Sequence, residues 1–354
     1  MPHENYQPMV EVTRGSIVES VHFGALAVVD ARGQALNSWG DPQTITFLRS
    51  SAKPFQALPF VEAGGVEHFD LTEKELAVMC ASHIGTDEHV ATVAGMQHKF
   101  GVTESNLLCG THTPADEATA RALLLKGEAP TPLRHNCSGK HTGMLGAAVM
   151  RSLPVEDYIN PDHPVQQSIL KAFAEMCCLL PEEVELGTDG CSAPNFAVPL
   201  YNAACAFARL ADPHDVPARR AKALRHIFRA MAAYPEMIAG EGQFDTRLMK
   251  VSGGQILSKG GAEGYQAVAL APGLLGKGHP GVGIALKISD GDAANRARPL
   301  VTLEILRQLG ALNEDQLAAL SMYRPRPIYN WRKLEVGLIR PCFILEKRPV
   351  YYGA

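Results

Sequence analysis

Residues 44–65 read TITFLRSSAKPFQALPFVEAGG and join a short extended segment to a helix. The segment TITFL is rich in β-branched residues, which favour strands. The helix is expected to begin near Ser50 and to end at Gly64-Gly65, because glycine commonly terminates helices. Pro54 is tolerated because it falls in the first turn, where backbone N–H groups lack helical partners.

Strand signals flank this stretch and return at the other end of the chain. Residues 25–39 predict two strands around a turn, and GGQILSK, YQAVALA and GVGIALKIS predict strands after residue 254. Thr72 and Glu75 form a capping box that starts a helix ending near Ala81. Further helices are predicted near 87–99, 115–126, 141–151, 164–178, 195–211, 214–235 and 293–309, and strands near 335–347.

This order predicts an α+β fold, in which strands from both chain ends build one sheet and a mostly helical lobe is inserted. We expect residues 1–354 to form a single catalytic unit. Its sheet lobe would comprise residues 1–65 and 190–354, and its helical lobe residues 66–189.

The amino-acid composition limits the kinds of molecule that the protein is expected to bind. The 354 residues are 46 % apolar and 20 % charged, with a formal net charge of −4. A basic excess is missing, so nucleic acid is not an expected partner. No window reaches the roughly 18 apolar residues that a membrane helix needs. Because MPHENYQPMV is not a secretory signal, we expect a cytoplasmic protein with eight reduced cysteines.

Ser50 and Lys53 form an S-x-x-K motif at the start of the expected helix. Residues i and i+3 share a helical face, so the lysine can reach the serine hydroxyl. A neutral lysine can act as the base that a serine nucleophile requires. A second cation lowers the pKa of a lysine, and Lys259, at the end of a predicted strand, is a candidate. The alternative is an N-cap serine and a solvated lysine.

S-x-x-K followed by K-T-G is typical of serine β-lactamases and penicillin-binding proteins. Here K-G-G replaces K-T-G at residues 259–261, and S-D-N is missing. A different motif, G-x-G-x-x-G at 276–281, is not interpreted as a dinucleotide fingerprint, because Pro280 interrupts it and a predicted strand follows.

Two further clusters carry chemistry. The first brings thiols, imidazoles and a lysine into polar turns, in the strings His135-Asn136-Cys137-Ser138-Gly139-Lys140-His141 and Thr188-Asp189-Gly190-Cys191. Thiolates and histidines bind zinc, but C-x-x-K is not a standard metal spacing, so buried thiols beside a glycine turn remain the alternative. The second of these clusters, residues 82–87, places Ser82 at a sharp corner between two helices. The sequence is consistent either with a side chain that faces a cleft or with an ordinary turn.

Taken together, these strings resemble the rhizobial-type, thermolabile L-asparaginase II family. The resemblance covers nearly the whole chain in order, through TRGSIVES (13–20), AVVDARG (27–33), RSSAKPFQALP (49–59), CASHIGTDEH (80–89), RHNCSGKHTGM (134–144), GTDGCSAPNFAVPL (187–200), KGGAEG (259–264) and GVGIALKISDGD (281–292).

The resemblance implies a fold similar to serine β-lactamases and glutaminases, and hydrolysis of L-asparagine to L-aspartate and ammonia. It also implies two catalytic Ser–Lys pairs, Ser50 with Lys53 and Ser82 with Lys259. A typical member is a homodimer. The remaining carried-over roles are substrate contacts at Arg49, Asp189 and His141, and zinc ligands at Cys137, Lys140 and Cys191.

From this we form the hypothesis of a serine acyl-enzyme, in which zinc is not the source of the nucleophile. Other enzyme classes stay open: a glutaminase, a penicillin-recognising serine hydrolase, or a zinc hydrolase with a metal-bound nucleophile. An amino-acid-binding protein without catalytic activity is a further alternative, although serine and lysine stand at all four expected positions.

Overall fold

Strands and helices come in separate runs along the chain in a computed structural model that describes residues 2–350. The strands are β1 Gln7–Arg14, β2 Ile17–Asp30, β3 Ala35–Trp39, β4 Ile45–Phe47, β5 Glu185–Thr188, β6 Pro194–Pro199, β7 Ile256–Gly260, β8 Tyr265–Leu270, β9 Val282–Ile288, β10 Arg326–Tyr329, β11 Glu335–Pro341 and β12 Glu346–Val350.

The α-helices are α1 Lys53–Glu62, α2 Gly65–His68, α3 Glu73–Met79, α4 Asp87–Phe100, α5 Glu117–Lys126, α6 Ser138–Met150, α7 Pro164–Met176, α8 Leu200–Ala211, α9 Ala218–Ala233, α10 Pro235–Ala239, α11 Phe244–Val251, α12 Arg298–Gln308 and α13 Glu314–Ala319. Among the described residues, none of these helices is long and apolar enough to cross a bilayer.

The chain forms two compact units, the first from Met1–Ser51, Val198–His214 and Val251–Ala354. Its strands make an antiparallel sheet in the order β10-β11-β1-β2-β9-β8-β7, with β3 paired to β2 and β12 paired to β3. Strands from both ends of the chain therefore share one sheet. This confirms the predicted α+β class.

Helix α8 covers the centre of this sheet. It packs on β2, β8 and β9, whose central residues are buried. At Gly283 in β9 a Cβ would lie 1.9 Å from the carbonyl oxygen of Ala204 in α8. No side chain fits at that distance, so the glycine sets how closely the helix approaches the sheet.

The second unit consists of Ala52–Ala197 and Asp215–Lys250 and is mostly helical. Helix α1 packs against α6, α7 and α9, and α3 packs against α6 and α9. Phe173 joins the core of this unit, because its ring lies 6.0 Å from Phe55 and 4.7 Å from Phe196. Strands β5 and β6 form an antiparallel hairpin whose connecting turn carries Asp189 and Cys191.

Many of the predicted elements are confirmed, but β1, β5, β10, α11 and α13 were not predicted, and α1 begins at Lys53 and not near Ser50. The capping box at α3 is present, since the Thr72 hydroxyl accepts from Glu75 N and the Glu75 carboxylate accepts from Thr72 N. The helix predicted over 195–211 is wrong at its start, because Pro194–Pro199 forms β6. That strand is stabilised by pairing with β5, a contact that local hydrophobic periodicity does not report.

The unit boundaries differ from those of the predicted lobes. Residues 52–65, 190–197 and 215–250 belong to the helical unit, although they were predicted to lie in the sheet lobe. The physical reason is that α1 and α9 pack on each other and on helices between residues 73 and 176. The rejected glycine motif at 276–281 precedes β9 and not a helix.

Candidate active site

Lys53 is the first residue of α1 and its side chain is completely buried. Its Nζ donates to the Ser82 hydroxyl at 3.0 Å, to the carbonyl of Asn136 at 3.3 Å, and to the carbonyl of Ala81. All four residues belong to the helical unit. The buried amine is thus held by two carbonyl oxygens and one hydroxyl.

Ser82 follows the end of α3, in the corner that precedes α4. Its backbone N–H donates to the carbonyl of Ile238 at 2.8 Å. Gly85 turns the chain with a φ of +78°, and a Cβ there would lie 2.8 Å from the carbonyl of Arg134. Thr86 then caps α4. Ser82 is partly exposed at this corner, so its hydroxyl can contact both the buried lysine and a molecule from solvent.

In the sheet unit, the turn that carries Ser50 contacts the end of β7. The Ser51 hydroxyl donates to the carbonyl of Lys259 at 2.6 Å. A Cβ on Gly261 would lie 2.5 Å from the carbonyl of Leu48, so only glycine permits this approach. Lys259 is buried, with 1 % of its surface exposed, and its Nζ donates to the carbonyl of Gly260 at 2.9 Å.

Arg49, directly before Ser50, has a φ of +51°. The left-handed region is unfavourable for a non-glycine residue, and such strain is common at functional sites. Its guanidinium lies 4.0 Å from the Glu263 carboxylate. Ser50 itself is partly exposed. Its pairing with Lys53, and that of Ser82 with Lys259, join residues of different units and stay predictions.

Cys137, Lys140 and Cys191 form a buried cluster at the start of α6 and the β5–β6 turn. Lys140 Nζ lies 3.0 Å from Cys191 Sγ, and each of the three residues is at most 4 % exposed. Cys137 N donates to His135 Nδ1 at 3.0 Å, which fixes the turn before α6. Asp189 is near enough to raise the pKa of Lys140 through its charge.

The pKa values of the two sulfurs of this cluster are shifted in opposite directions. A hydrogen bond from Cys191, with the charges of Lys53 and Lys140, holds the pKa of Cys137 well below its ordinary value. The same hydrogen bond and burial raise the pKa of Cys191. Burial opposes the charge of Lys140, but the two sulfurs outweigh it and its pKa is raised. These shifts favour the charged forms of Cys137 and Lys140.

His141 lies deeper in the same region and is fully buried. Its Nδ1 and the Tyr158 hydroxyl are 2.7 Å apart, and the same hydroxyl accepts from Leu108 N at 2.9 Å. Burial lowers the pKa of His141 to about 4, so the ring is neutral near pH 7.

Cysteine thiolates are zinc ligands, whereas a lysine binds a metal only after its amine has lost a proton. Among residues 2–350, no three His, Cys, Asp or Glu side chains are arranged to hold a metal ion, and the third expected ligand is a lysine. Typical zinc bonds of about 2.3 Å to sulfur and about 2.0 Å to nitrogen place tetrahedral ligands about 3.5 Å apart. Lys140 Nζ and Cys191 Sγ are 3.0 Å apart, so a zinc ion would require a deprotonated Lys140 and a wider spacing of these two atoms.

Comparison with protein families shows to which family the chain belongs. The family model described as L-asparaginase II matches residues 10–341. The chain belongs to the L-asparaginase II family. Its members are amidohydrolases, and this chain is accordingly an enzyme that hydrolyses a carboxamide. No curated protein sequence matches the chain significantly.

Several solved structures are similar to this asparaginase II family member at low identity. A probable glutaminase from Bacillus subtilis complexed with 6-diazo-5-oxo-L-norleucine is 12 % identical, with a TM-score of 0.38 over 81 % of this chain and 84 % of that chain. A covalent complex of a Bacillus subtilis glutaminase with 5-oxo-L-norleucine is 13 % identical, with a TM-score of 0.34 over 76 % and 81 %. A Bacillus glutaminase in 4.3 M NaCl is 11 % identical, with a TM-score of 0.38 over 81 % and 91 %.

Several polar groups of this site were not predicted from the sequence. The carbonyls of Ala81 and Asn136, which hold Lys53, carry no signal in the side-chain sequence. His83 accepts from Gly85 N through Nδ1 and donates through Nε2 to the Ser138 hydroxyl at 2.9 Å. This bond ties the Ser82 corner to the first turn of α6. The string CASHIGTDEH contains His83, but its partner is 55 residues away.

Proposed function

We propose that this amidohydrolase is an L-asparaginase that releases ammonia from L-asparagine through a serine ester. The observation that carries the proposal is the environment of Lys53, whose buried amine faces two carbonyls and the Ser82 hydroxyl. The match to the L-asparaginase II family supports the choice of asparagine as substrate.

The environment of Lys53 suits a base. As an ammonium ion it donates to all three neighbours. In the neutral amine the two N–H bonds satisfy the carbonyls of Ala81 and Asn136, and the lone pair faces the Ser82 hydroxyl. A hydroxyl at 3.0 Å is within the range for proton transfer. Lys53 can thus accept a proton through Ser82 without leaving a buried carbonyl unpaired.

We assign the attack on the side-chain amide carbon to Ser50, three residues before Lys53. Lys53 accepts the hydroxyl proton, the Ser50 oxygen bonds to the carbon, and a backbone N–H such as that of Ser50 holds the negative oxygen. Ser82 and Lys259 pass the proton taken up by Lys53 to the nitrogen as the carbon–nitrogen bond breaks, so that ammonia leaves and Lys53 is neutral again. Water then attacks the ester, returns a proton to Ser50 and releases aspartate.

Cys137, Lys140 and Cys191 are the residues that would hold zinc in this proposal. When bound, zinc would supply positive charge that orients the substrate and lowers the pKa of neighbouring lysines. The chain's own residues provide the nucleophile and base. Arg49, Asp189 and His141 are proposed substrate-side positions, and a homodimer is a further proposal, testable by light scattering.

The test is ammonia release from asparagine by the parent and by Ser50→Ala, Ser82→Ala and Ser16→Ala. Ser16 is exposed in the β1–β2 turn and serves as the matched control. Ser50→Ala is expected to lose several orders of magnitude in kcat, as other nucleophile variants do. If Ser50→Ala keeps most of its activity while Ser82→Ala loses it, Ser82 is the nucleophile.

Assays with other substrates distinguish the alternative functions. Glutamine with a larger kcat/KM than asparagine would make the enzyme a glutaminase, and turnover of a penicillin would indicate a penicillin-recognising hydrolase. Calorimetric binding of asparagine without ammonia release would favour a catalytically silent binding protein.

A further inference from the structure

A cavity of about 200 Å³ lies within the helical unit, between α1, α6 and α7. Its floor is apolar and buried, formed by Phe60, Met144, Val165 and Ile169, each at most 3 % exposed. The volume exceeds the roughly 150 Å³ of an engineered apolar cavity that stays dry and binds benzene. The floor therefore suits an apolar body of at least that size.

The rim of the cavity is exposed and carries a positive charge. Arg151, just after the end of α6, is exposed and lines the opening. Its Nη1 donates to the Ser168 hydroxyl at 3.0 Å and to the carbonyl of Pro164 at 3.2 Å. These bonds fix the guanidinium beside the start of α7.

None of the cavity's described lining residues is acidic. A ligand matching both the floor and the rim combines an apolar tail with one anionic head. The guanidinium presents parallel N–H groups that fit a carboxylate. An ammonium head would meet like charge at Arg151, and an uncharged head would gain no ion pair.

We propose that this cavity binds a small carboxylate with an unbranched apolar tail, the tail contacting Phe60, Met144 and Ile169 and the head contacting Arg151. The site is separate from the groups used for amide hydrolysis, so the proposal does not rest on the assigned activity. It is nevertheless close to them along the chain. Gln56 and Gly143 line the cavity three residues after Lys53 and Lys140 respectively.

Isothermal titration calorimetry with octanoate, octanol and octylamine tests the chemistry of the head group. We expect saturable binding of octanoate, and at least tenfold weaker binding of the other two. Ala147→Phe fills the cavity and Arg151→Gln removes the charge, and each is expected to weaken octanoate binding at least tenfold. Ala118→Phe and Arg121→Gln, at exposed positions of α5, are the matched controls and should bind as the parent does.

Hydrogen exchange locates the site independently of activity. Octanoate is expected to slow exchange in α1, α6 and α7 of the parent, and to leave Arg151→Gln unchanged at the same concentration. If Ala147→Phe does not fold, the arginine variant and the head-group series decide alone. The proposal is overturned if octanoate fails to bind, if octylamine binds equally tightly, if Arg151→Gln binds like the parent, or if protection lies elsewhere.

Discussion

Replacing Lys53 with methionine tests the central chemical idea, since it keeps an unbranched side chain of similar size and removes the amine. The parent Nζ contacts the carbonyls of Ala81 and Asn136 and the Ser82 hydroxyl. Methionine can neither donate to these oxygens nor accept a proton. The variant thus removes the proposed base while the rest of α1 keeps its packing.

The environment of Lys53 sets the expected changes in turnover and in the free energy of unfolding. Loss of a general base lowers turnover by about 10²–10⁴-fold, which corresponds to about 3–5 kcal/mol at the transition state. Two buried carbonyls lose a donor, at about 1–3 kcal/mol each. The free energy of unfolding is therefore expected to fall as well, and it is measured separately from turnover.

The assay pairs ammonia release from asparagine with urea unfolding of the same preparations. Lys53→Met should fold, with KM changed little and kcat reduced at least a hundredfold. Lys74→Met is the matched control, because Lys74 forms only an exposed ion pair with Glu88 worth less than about 1 kcal/mol. A folded Lys53→Met enzyme with kcat within tenfold of the parent would refute the role of this lysine.

Four other perturbations have expected outcomes. Gly261→Ala brings a Cβ to 2.5 Å from the Leu48 carbonyl, so thermal denaturation should show a lower Tm and activity should fall with it; an unchanged Tm would contradict the close contact. Thr72→Ala removes the α3 cap and should cost about 1 kcal/mol in urea unfolding, whereas Thr72→Ser should keep most of it. Burial holds the pKa of His83 well below its ordinary value, so on acidification the unfolded chain takes up a proton at a higher pH than the folded chain does. The free energy of unfolding should therefore decrease as the pH is lowered from about 6.5. His83→Gln should reduce this dependence on pH, and an equal dependence in both proteins would contradict the assignment. Elemental analysis should find stoichiometric zinc in the parent and none in Cys191→Ser, while equal zinc contents would exclude the proposed ligand set.

Candidate site residues could be proposed from sequence because they stand in short strings. Ser50 and Lys53 are three residues apart and form a recognisable motif, whereas Cys137 and Lys140 were selected through the family resemblance, and the catalytic and zinc-binding roles of all four stay predictions. The capping box at Thr72 depends on residues three apart and is confirmed. Resemblance also led to the L-asparaginase II family, whose model matches residues 10–341.

Other features depended on contacts between distant residues. Lys53 and Ser82 are 29 residues apart, and no local pattern reveals that two backbone carbonyls hold the amine. The start of α8 was misplaced because Pro194–Pro199 is a strand that pairs with β5, a contact that local periodicity does not report. The cavity beside Arg151 depends on how three helices pack, and periodicity predicts a buried face without specifying what fills it.

By itself, the sequence determined the capped helix start, which follows from residues three apart, and the α+β class, which follows from the order of strand and helix signals along the chain. The tertiary structure alone decided which oxygen atoms surround Lys53, which cysteine has the lowered pKa, and where a cavity is left between helices. The physical reason is that hydrogen-bond geometry, charge proximity and packing volume depend on distances between segments that are remote along the chain.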